Sequence, residues 1–208
     1  MVINLLKKHL KELFIQKLES LFGKMQKPIA DALLSGTTVD TFDKDSMILS
    51  AGNTCQYLRF IAVGCVRIYE LHDETERTTH FFTENQIFLD FNSFTTGKPT
   101  NFNVVAVEDT QLISLHVLKL AEIYTAHPEF ERMMRLMAEN QSIQEFELRK
   151  LLLNCTGIER YQYLIHHMPE LFKRFALKDI ASFIGITPES LSRLRRQKIT
   201  PPPAFNPN

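Results

Sequence analysis

The segment from residue 177 to residue 196, LKDIASFIGITPESLSRLRR, constrains the fold most, because it predicts two short helices joined by a fixed turn. Apolar residues at spacings of three and four predict the first helix, namely Leu177, Ile180, Ala181 and Ile184. Gly185 allows the chain to turn at a positive φ. Thr187 is a good N-cap and Pro188 suits the first helical position, so the second helix is predicted to begin at Pro188.

The predicted second helix has an inward face with Leu191 and Leu194 and an outward face that is polar and basic. Positions i, i+3, i+4 and i+7 of the outward face hold Glu189, Ser192, Arg193 and Arg196. A forked guanidinium, a carboxylate and a small hydroxyl are groups that contact base edges in DNA. The pattern therefore predicts a helix-turn-helix that reads DNA, and the alternative is an ordinary helix pair with a solvated basic face.

Charge is divided unevenly along a chain whose formal net charge is zero. Residues 149–208 hold 10 Lys and Arg against 4 Asp and Glu, whereas residues 1–148 hold 14 against 20. A basic C-terminal quarter on an acidic body indicates a polyanionic partner that contacts only that quarter.

Composition favours a water-soluble protein of 208 residues with one large part and one small part. No apolar run reaches the roughly 18 residues of a membrane helix, and the N-terminus has no signal-peptide pattern. The three cysteines Cys55, Cys65 and Cys155 are odd in number and far apart. We therefore expect reduced thiols, no metal site and a cytoplasmic location.

The residue pattern of the chain changes from helical to β near Gly36. Helical periodicity runs from Leu5 to Leu21, and a short helix is predicted from Pro28 to Leu34. The strands are then predicted over residues 37–42, 48–49, 57–63, 65–69, 78–82, 87–91, 103–107 and 110–115. Short strands at regular spacing indicate an antiparallel sandwich or barrel of the jelly-roll kind.

A long helix is predicted to begin at Pro128, after a short helix over residues 116–125. Its apolar seam steps by alternate fours and threes through Phe130, Met134, Met137, Gln141, Gln144, Leu148, Leu151 and Cys155. Such a heptad predicts a two-stranded dimer interface, although the stripe could instead pack on its own domain. The polar Gln141 and Gln144 could fix the register of the two helices in such a dimer or face a ligand.

Taken together, this order of elements resembles the Crp/Fnr family of bacterial transcription regulators. The segments LRFIAVGCVRIYE and GITPESLSRLRR are similar to the family's β-roll signature and to the recognition helix of its Bacteroidetes-type members. The resemblance implies an α+β fold with an N-terminal antiparallel β-roll of the cyclic-nucleotide-binding kind. We expect a sensor domain over residues 1–127, a dimerisation helix over 128–155, a helix-turn-helix over 156–200 and a disordered tail over 201–208.

By the same resemblance, Glu189 and Arg193 read bases, and Ser192 lies beside them. Arg195 contacts phosphate, which positions the protein without specifying sequence. The full set of residues expected at DNA is Thr187, Pro188, Glu189, Ser190, Ser192, Arg193, Arg195 and Arg196. The implied partners are a palindromic DNA operator, a second copy of the chain and RNA polymerase.

The chain departs from the family where cyclic AMP is bound. Members that bind it carry a Gly-Glu pair and, about ten residues later, Arg followed by Ser or Thr. Here Leu89 and Asp90 replace the first pair, and Thr100 and Asn101 replace the second. Without that Arg no guanidinium fork neutralises the cyclic phosphate, so we expect no cyclic AMP binding of the usual kind. The effector is unknown, no cofactor is expected, and the expected pocket residues are Leu89, Asp90, Thr100, Asn101, Gln141 and Gln144.

Two other classes of function stay open. A metal-dependent enzyme on a jelly roll needs a His-x-His pair, but His72 and His80 are eight residues apart, so an enzyme is not expected. A dimeric sensor or interaction module that no longer reads DNA is the second alternative. The family's wing is expected to be missing or very short, because prolines follow soon after Arg196.

Overall fold

The computed structural model describes residues 2–196, with side chains from residue 5 onward. Met1 and residues 197–208, including the predicted tail and the end of the predicted helix-turn-helix domain, lie outside the described residues. The described elements are, in chain order, α1 (Val2–Phe22), α2 (Lys27–Gly36), β1 (Thr37–Phe42), β2 (Met47–Leu49), β3 (Tyr57–Val63), β4 (Val66–His72), β5 (Thr75–Phe82), β6 (Ile87–Phe88), α3 (Phe91–Thr96), β7 (Asn103–Ala106), β8 (Thr110–His116), α4 (Val117–Ala126), α5 (Pro128–Asn154), α6 (Gly157–His167), α7 (Leu171–Arg174), α8 (Leu177–Phe183) and α9 (Pro188–Arg196).

The strands form two antiparallel four-stranded sheets that face each other as a roll. One sheet has the order β1-β8-β3-β6 and the other β2-β7-β4-β5. Apolar side chains from both sheets fill the space between them, among them Ile61, Val66, Phe88, Val104 and Leu112. The predicted α+β fold with an N-terminal antiparallel β-roll is confirmed.

One predicted strand is shorter than expected. The strand predicted over residues 87–91 ends at Phe88, and α3 begins at Phe91. The Asp90 carboxylate accepts a hydrogen bond from the Ser93 backbone N–H at 3.1 Å, which caps the new helix. Gly97, at φ +68, ends it.

Two apolar cores lie outside the roll. The first covers the outer face of the β1-β8-β3-β6 sheet, where Phe14 of α1 packs on Phe60 with ring centroids 5.5 Å apart and α2, α4 and the start of α5 complete the layer. The second joins the other sheet to the C-terminal helices. There Phe81 of β5 lies 4.3 Å from Phe175 and 5.2 Å from Phe183, measured between ring centroids. The roll and the last four helices therefore share one core.

Ion pairs at the edge of this shared core connect the same parts. Arg174 of α7 donates hydrogen bonds to Glu84, at 2.5 and 2.9 Å, and to Glu108. Burial alone would raise the pKa of Glu84, but the hydrogen bonds from Arg174 and from the backbone N–H groups of Glu84 and Gly64 together outweigh it, and the pKa is lowered. On β4, Arg67 contacts Asp179 of α8 at 3.2 Å.

The predicted dimer seam on α5 is corrected by the structure. Phe130, Met134 and Leu151 are buried in the chain's own cores, because α4 covers one end of α5 and the C-terminal helices cover the other. Met137 and Leu148 also pack against these cores, and Gln144 is exposed. The seam therefore follows the alternative of packing within one chain. The exposed apolar side chains of α5 lie on another stripe, formed by Leu136, Ile143, Phe146 and Leu153.

The tight turn between β3 and β4 requires glycine. Gly64 has φ +94, and a Cβ there would lie 2.7 Å from the Asp109 carbonyl oxygen and 2.8 Å from the Thr110 Cα. Gly52 has a similar φ of +88 but no atom within 4 Å of the same position. Gly52→Ala should therefore cost only the backbone strain, about 1 kcal/mol, whereas Gly64→Ala should cost about 1–3 kcal/mol more through steric overlap. Urea unfolding of both variants measures the difference, and equal losses would contradict this account.

Candidate ligand pocket and nucleic-acid interface

The turn between α8 and α9 has the features that its sequence predicts. Gly185 takes φ +69, and the Thr187 hydroxyl accepts a hydrogen bond from the Ser190 backbone N–H at 3.2 Å. Leu191 is completely buried against α8, whose Ile180 and Ala181 are buried as well. The close contact of α9 with the rest of the molecule is thus made by one face of the helix.

A residue of α6 that the sequence did not indicate stabilises the turn between α8 and α9. Arg160 of α6 donates to the carbonyl oxygens of Cys155 at 2.9 Å and of Ile184 at 2.8 Å. Ile186 packs on Gly157, where an added Cβ would come within 2.6 Å of the Ile186 Cγ2. The partner carbonyl of Ile184 is 24 residues away in sequence, so no local pattern indicates the contact.

The opposite face of α9 is open to solvent and mostly basic. Glu189, Arg193, Arg195 and Arg196 are exposed, as are Thr187 and Pro188, whereas Ser190 and Ser192 are half-buried. The guanidinium of Arg193 donates to the Ser190 hydroxyl at 3.2 Å. Hydrogen bonds from its own backbone N–H and from Thr187 lower the pKa of Glu189, so that this carboxylate is ionised at neutral pH.

A cavity of about 450 Å³ opens between the interior of the roll and the middle of α5. This volume lies in the range of small-molecule sites. The roll contributes a largely apolar wall of Leu49, Ile68, Phe82, Phe88, Phe91, Phe102 and Val104. The helix α5 closes the other side with Ala138, Gln141, Ser142, Glu145, Phe146 and Arg149.

Only part of the predicted effector set lines this cavity. Leu89, Asp90 and Gln141 lie in its wall. Thr100 and Asn101 line a different surface depression, because backbone hydrogen bonds with Gly52 and Asn53 hold Thr100 away from the roll interior. Gln144 points to a groove outside the cavity. Thr100, Asn101 and Gln144 are therefore corrected: the structure does not place them in this pocket.

The sequence analysis also missed a cation in the pocket wall. Arg59 of β3 is only 9% exposed, and its guanidinium carbon lies 5.1 Å from the Tyr57 ring centroid. Its Nε has no hydrogen-bond partner, and among the described residues no carboxylate forms an ion pair with it. Burial away from water lowers the pKa of Arg59. An arginine inside a strand gives no sequence signal of its own, since it could equally point to solvent.

One side-chain hydrogen-bond contact connects the roll to α5 at the rim of the pocket. The His80 Nε2 lies 3.0 and 3.1 Å from the two carboxylate oxygens of Glu145. The hydrogen bond with His80 lowers the pKa of Glu145. The other histidine considered for metal binding, His72, is exposed beside Glu70. No group of three or more potential metal ligands is found among the described residues.

Comparisons with known proteins agree with this architecture. Residues 39–127 match the family model of the cyclic nucleotide-binding domain. FixK2 from Bradyrhizobium japonicum has a similar structure, with TM-score 0.64 and 21% identity over 76% of this chain and 82% of its own. No curated protein sequence matches the chain.

Two further solved structures share the fold. The c-di-GMP-responsive global regulator CLP of Xanthomonas campestris has TM-score 0.67 and 12% identity, over 81% of this chain and 89% of its own. The catabolite activator protein of Thermus thermophilus has TM-score 0.53 and 22% identity, over 84% of each chain. No helix in the described part of the chain has the length and hydropathy needed to cross a membrane.

The contact between His80 and Glu145 should stabilise the fold in a pH-dependent way. A carboxylate with a lowered pKa contributes stability above the ordinary glutamate range, and that stability is lost as the pH falls through the lowered value. A double-mutant cycle with His80→Gln and Glu145→Gln should give a coupling of about 0.5–1 kcal/mol near neutral pH, because the pair is partly exposed. The coupling should fall toward zero on acidification, measured by urea unfolding. A coupling that stays constant through the glutamate range would contradict this explanation.

Proposed function

We propose that this protein is a sequence-specific DNA-binding transcription regulator that acts as a homodimer and responds to a ligand in the roll. The observation that carries the proposal is the division of α9 into two faces. Leu191 holds the helix on the molecule, while Glu189 and the three arginines stand free on the outer face. The fold shared with regulators such as CLP supports the same conclusion.

In this proposal α9 enters the major groove of DNA. Arg193 forms a bidentate bond to guanine and Glu189 accepts from cytosine, as the chemistry of these groups favours. Arg195 contacts a phosphate, and Thr187 and Pro188 lie at the helix N-terminus near the sugar-phosphate backbone. The contact of Arg193 with Ser190 limits the side-chain freedom of Arg193 before it meets a base.

The dimer interface is proposed on the exposed stripe of α5 instead of the buried seam. Leu136, Ile143, Phe146 and Leu153 are between 41% and 74% exposed. Their steps of seven, three and seven residues fit the spacing of a two-stranded coiled coil. A dimer through this stripe places two copies of α9 on one duplex, which favours a palindromic operator.

The ligand is proposed to differ from cyclic AMP bound in the family's usual way. The positions where the family carries its phosphate-binding Arg hold Thr100 and Asn101, and neither lies in the pocket. The protein would act in the cytoplasm, with RNA polymerase as a further partner at the promoter.

Loss of the Arg193 guanidinium should reduce both affinity and specificity. On a duplex selected from random DNA, Arg193→Ala should weaken binding by about 1–3 kcal/mol and relax the preference at one base pair of each half-site. Arg132→Ala removes the same charge from an exposed position on α5 and is the matched control. Fluorescence anisotropy with the selected duplex and its single-base variants measures both effects. If Arg193→Ala and Arg132→Ala bind alike, the proposed role of α9 is wrong.

A charge in the exposed stripe should separate the two copies of the dimer. Ile143 is 61% exposed, so Ile143→Glu costs little stability in one chain but places two carboxylates in the proposed interface. Leu118→Glu makes the same kind of change at a 68% exposed position on α4 and is the control. Sedimentation equilibrium should give a monomer for the first variant and a dimer for the second. A dimer in both cases would place the interface elsewhere.

A further inference from the structure

The pocket contains a buried positive charge that has no ion-pair partner among the described residues. Arg59 is 9% exposed, its Nε has no hydrogen-bond partner, and its guanidinium forms no ion pair within the described residues. Taking a guanidinium out of water is costly unless an anion or hydrogen-bond acceptors replace the water. A single stacked aromatic ring, that of Tyr57, compensates for only part of this cost.

The carboxylates near the cavity are engaged elsewhere. Asp90 caps α3 through the Ser93 backbone N–H, and Glu145 bonds to His80. Asp40 accepts a hydrogen bond from the Thr38 hydroxyl at 3.1 Å on β1. The charge of Asp40 still attracts the Arg59 guanidinium, but none of these carboxylates forms an ion pair with it, so direct contact with the guanidinium is left for a group that enters from outside.

A second unsatisfied donor lies next to Arg59. Ser114 of β8 is the direct cross-strand partner of Arg59, so the two side chains are on the same face of the sheet, toward the roll interior. The Ser114 hydroxyl is 1% exposed and has no hydrogen-bond partner. Buried polar groups are nearly always paired, so these two neighbouring exceptions mark an unsatisfied polar spot, and Arg59 is the member of the pair that lines the cavity.

The remainder of the pocket wall restricts the chemical character of the rest of the ligand. Apart from Arg59, the roll side is mainly apolar, with Phe82, Phe88 and Phe102 among its residues. Such a wall binds an apolar body, and the polar side chains Asn92, Gln141 and Ser142, which also line the cavity, lie on α3 and α5.

We propose that Arg59 binds the carboxylate of a small, largely apolar ligand whose hydrocarbon part fills the cavity. This inference rests on the pocket being the effector site of the proposed function. A planar guanidinium matches a carboxylate through two parallel hydrogen bonds. The ligand also contacts α5, because Gln141 and Phe146 form the opposite wall.

The test uses the full chain without DNA and isothermal titration calorimetry. The probes are the straight-chain carboxylates from hexanoate to dodecanoate and phenylacetate, each paired with the alcohol of the same carbon skeleton, together with cyclic AMP. At least one carboxylate should bind about tenfold or more tightly than its alcohol. Arg59→Met should remove this preference, whereas Arg132→Met, at an exposed position of α5 outside the pocket, should keep it.

A second measurement distinguishes loss of ligand binding from misfolding of the Arg59→Met variant. Because Arg59→Met removes an uncompensated buried charge, its ligand-free Tm should equal or exceed that of the parent protein. A lower Tm would mean that Arg59 is already satisfied and would overturn the inference. So would equal binding of acids and alcohols, no binding by any carboxylate, or cyclic AMP binding that depends on Arg59. DNA affinity is measured separately on the selected duplex, so failure of the DNA-binding proposal does not alter the calorimetric result.

Discussion

The packing of Phe81 against Phe175 and Phe183 is the contact on which the arrangement of the molecule depends. It inserts a side chain of the roll into the core of the C-terminal helices, so that α8 and α9 are held at a fixed position relative to the sheets. The ion pairs of Arg174 with Glu84 and Glu108 lie at the edge of the same contact. Aromatic packing supplies the free energy here, and the charged groups fix the orientation.

The long helix α5 connects the pocket to the rest of the protein through its packing. Its two ends are buried, at Phe130 and at Leu151, while its middle closes the cavity. Phe146 lies in the pocket wall and also belongs to the exposed stripe proposed for dimerisation. A ligand that moves Phe146 would therefore act on the pocket and the dimer interface together. Such a response requires that the ligand binds more tightly to the protein with α5 in one position than with α5 in another.

Local signals predict the longer helices and most strands correctly, whereas the short helices α3 and α7 and the features that depend on distant parts of the chain are missed. Gly185, Thr187 and Pro188 fix the α8–α9 turn within a few residues, so the sequence alone indicates it. The helix α5 carries two apolar stripes with heptad spacing, and only the folded roll and α6 determine that the one with Phe130 is buried. Thr100 and Asn101 are expected in the pocket because they align with the family's phosphate-binding pair, but backbone contacts with residues some fifty positions earlier take Thr100 out of the pocket. Arg59 is recognised only when its burial and its lack of partners are known.

Selection of bound sequences from random DNA by the full chain, at two salt concentrations, tests the central claim most directly. The account predicts a two-fold symmetric consensus whose half-sites are one helical turn apart, because two copies of α9 bind one duplex. Affinity for that consensus should fall with salt, since arginines displace counterions from phosphates. A chain that enriches no sequence, or enriches only an asymmetric one, would contradict a dimeric DNA reader and would favour an interaction module that no longer reads DNA.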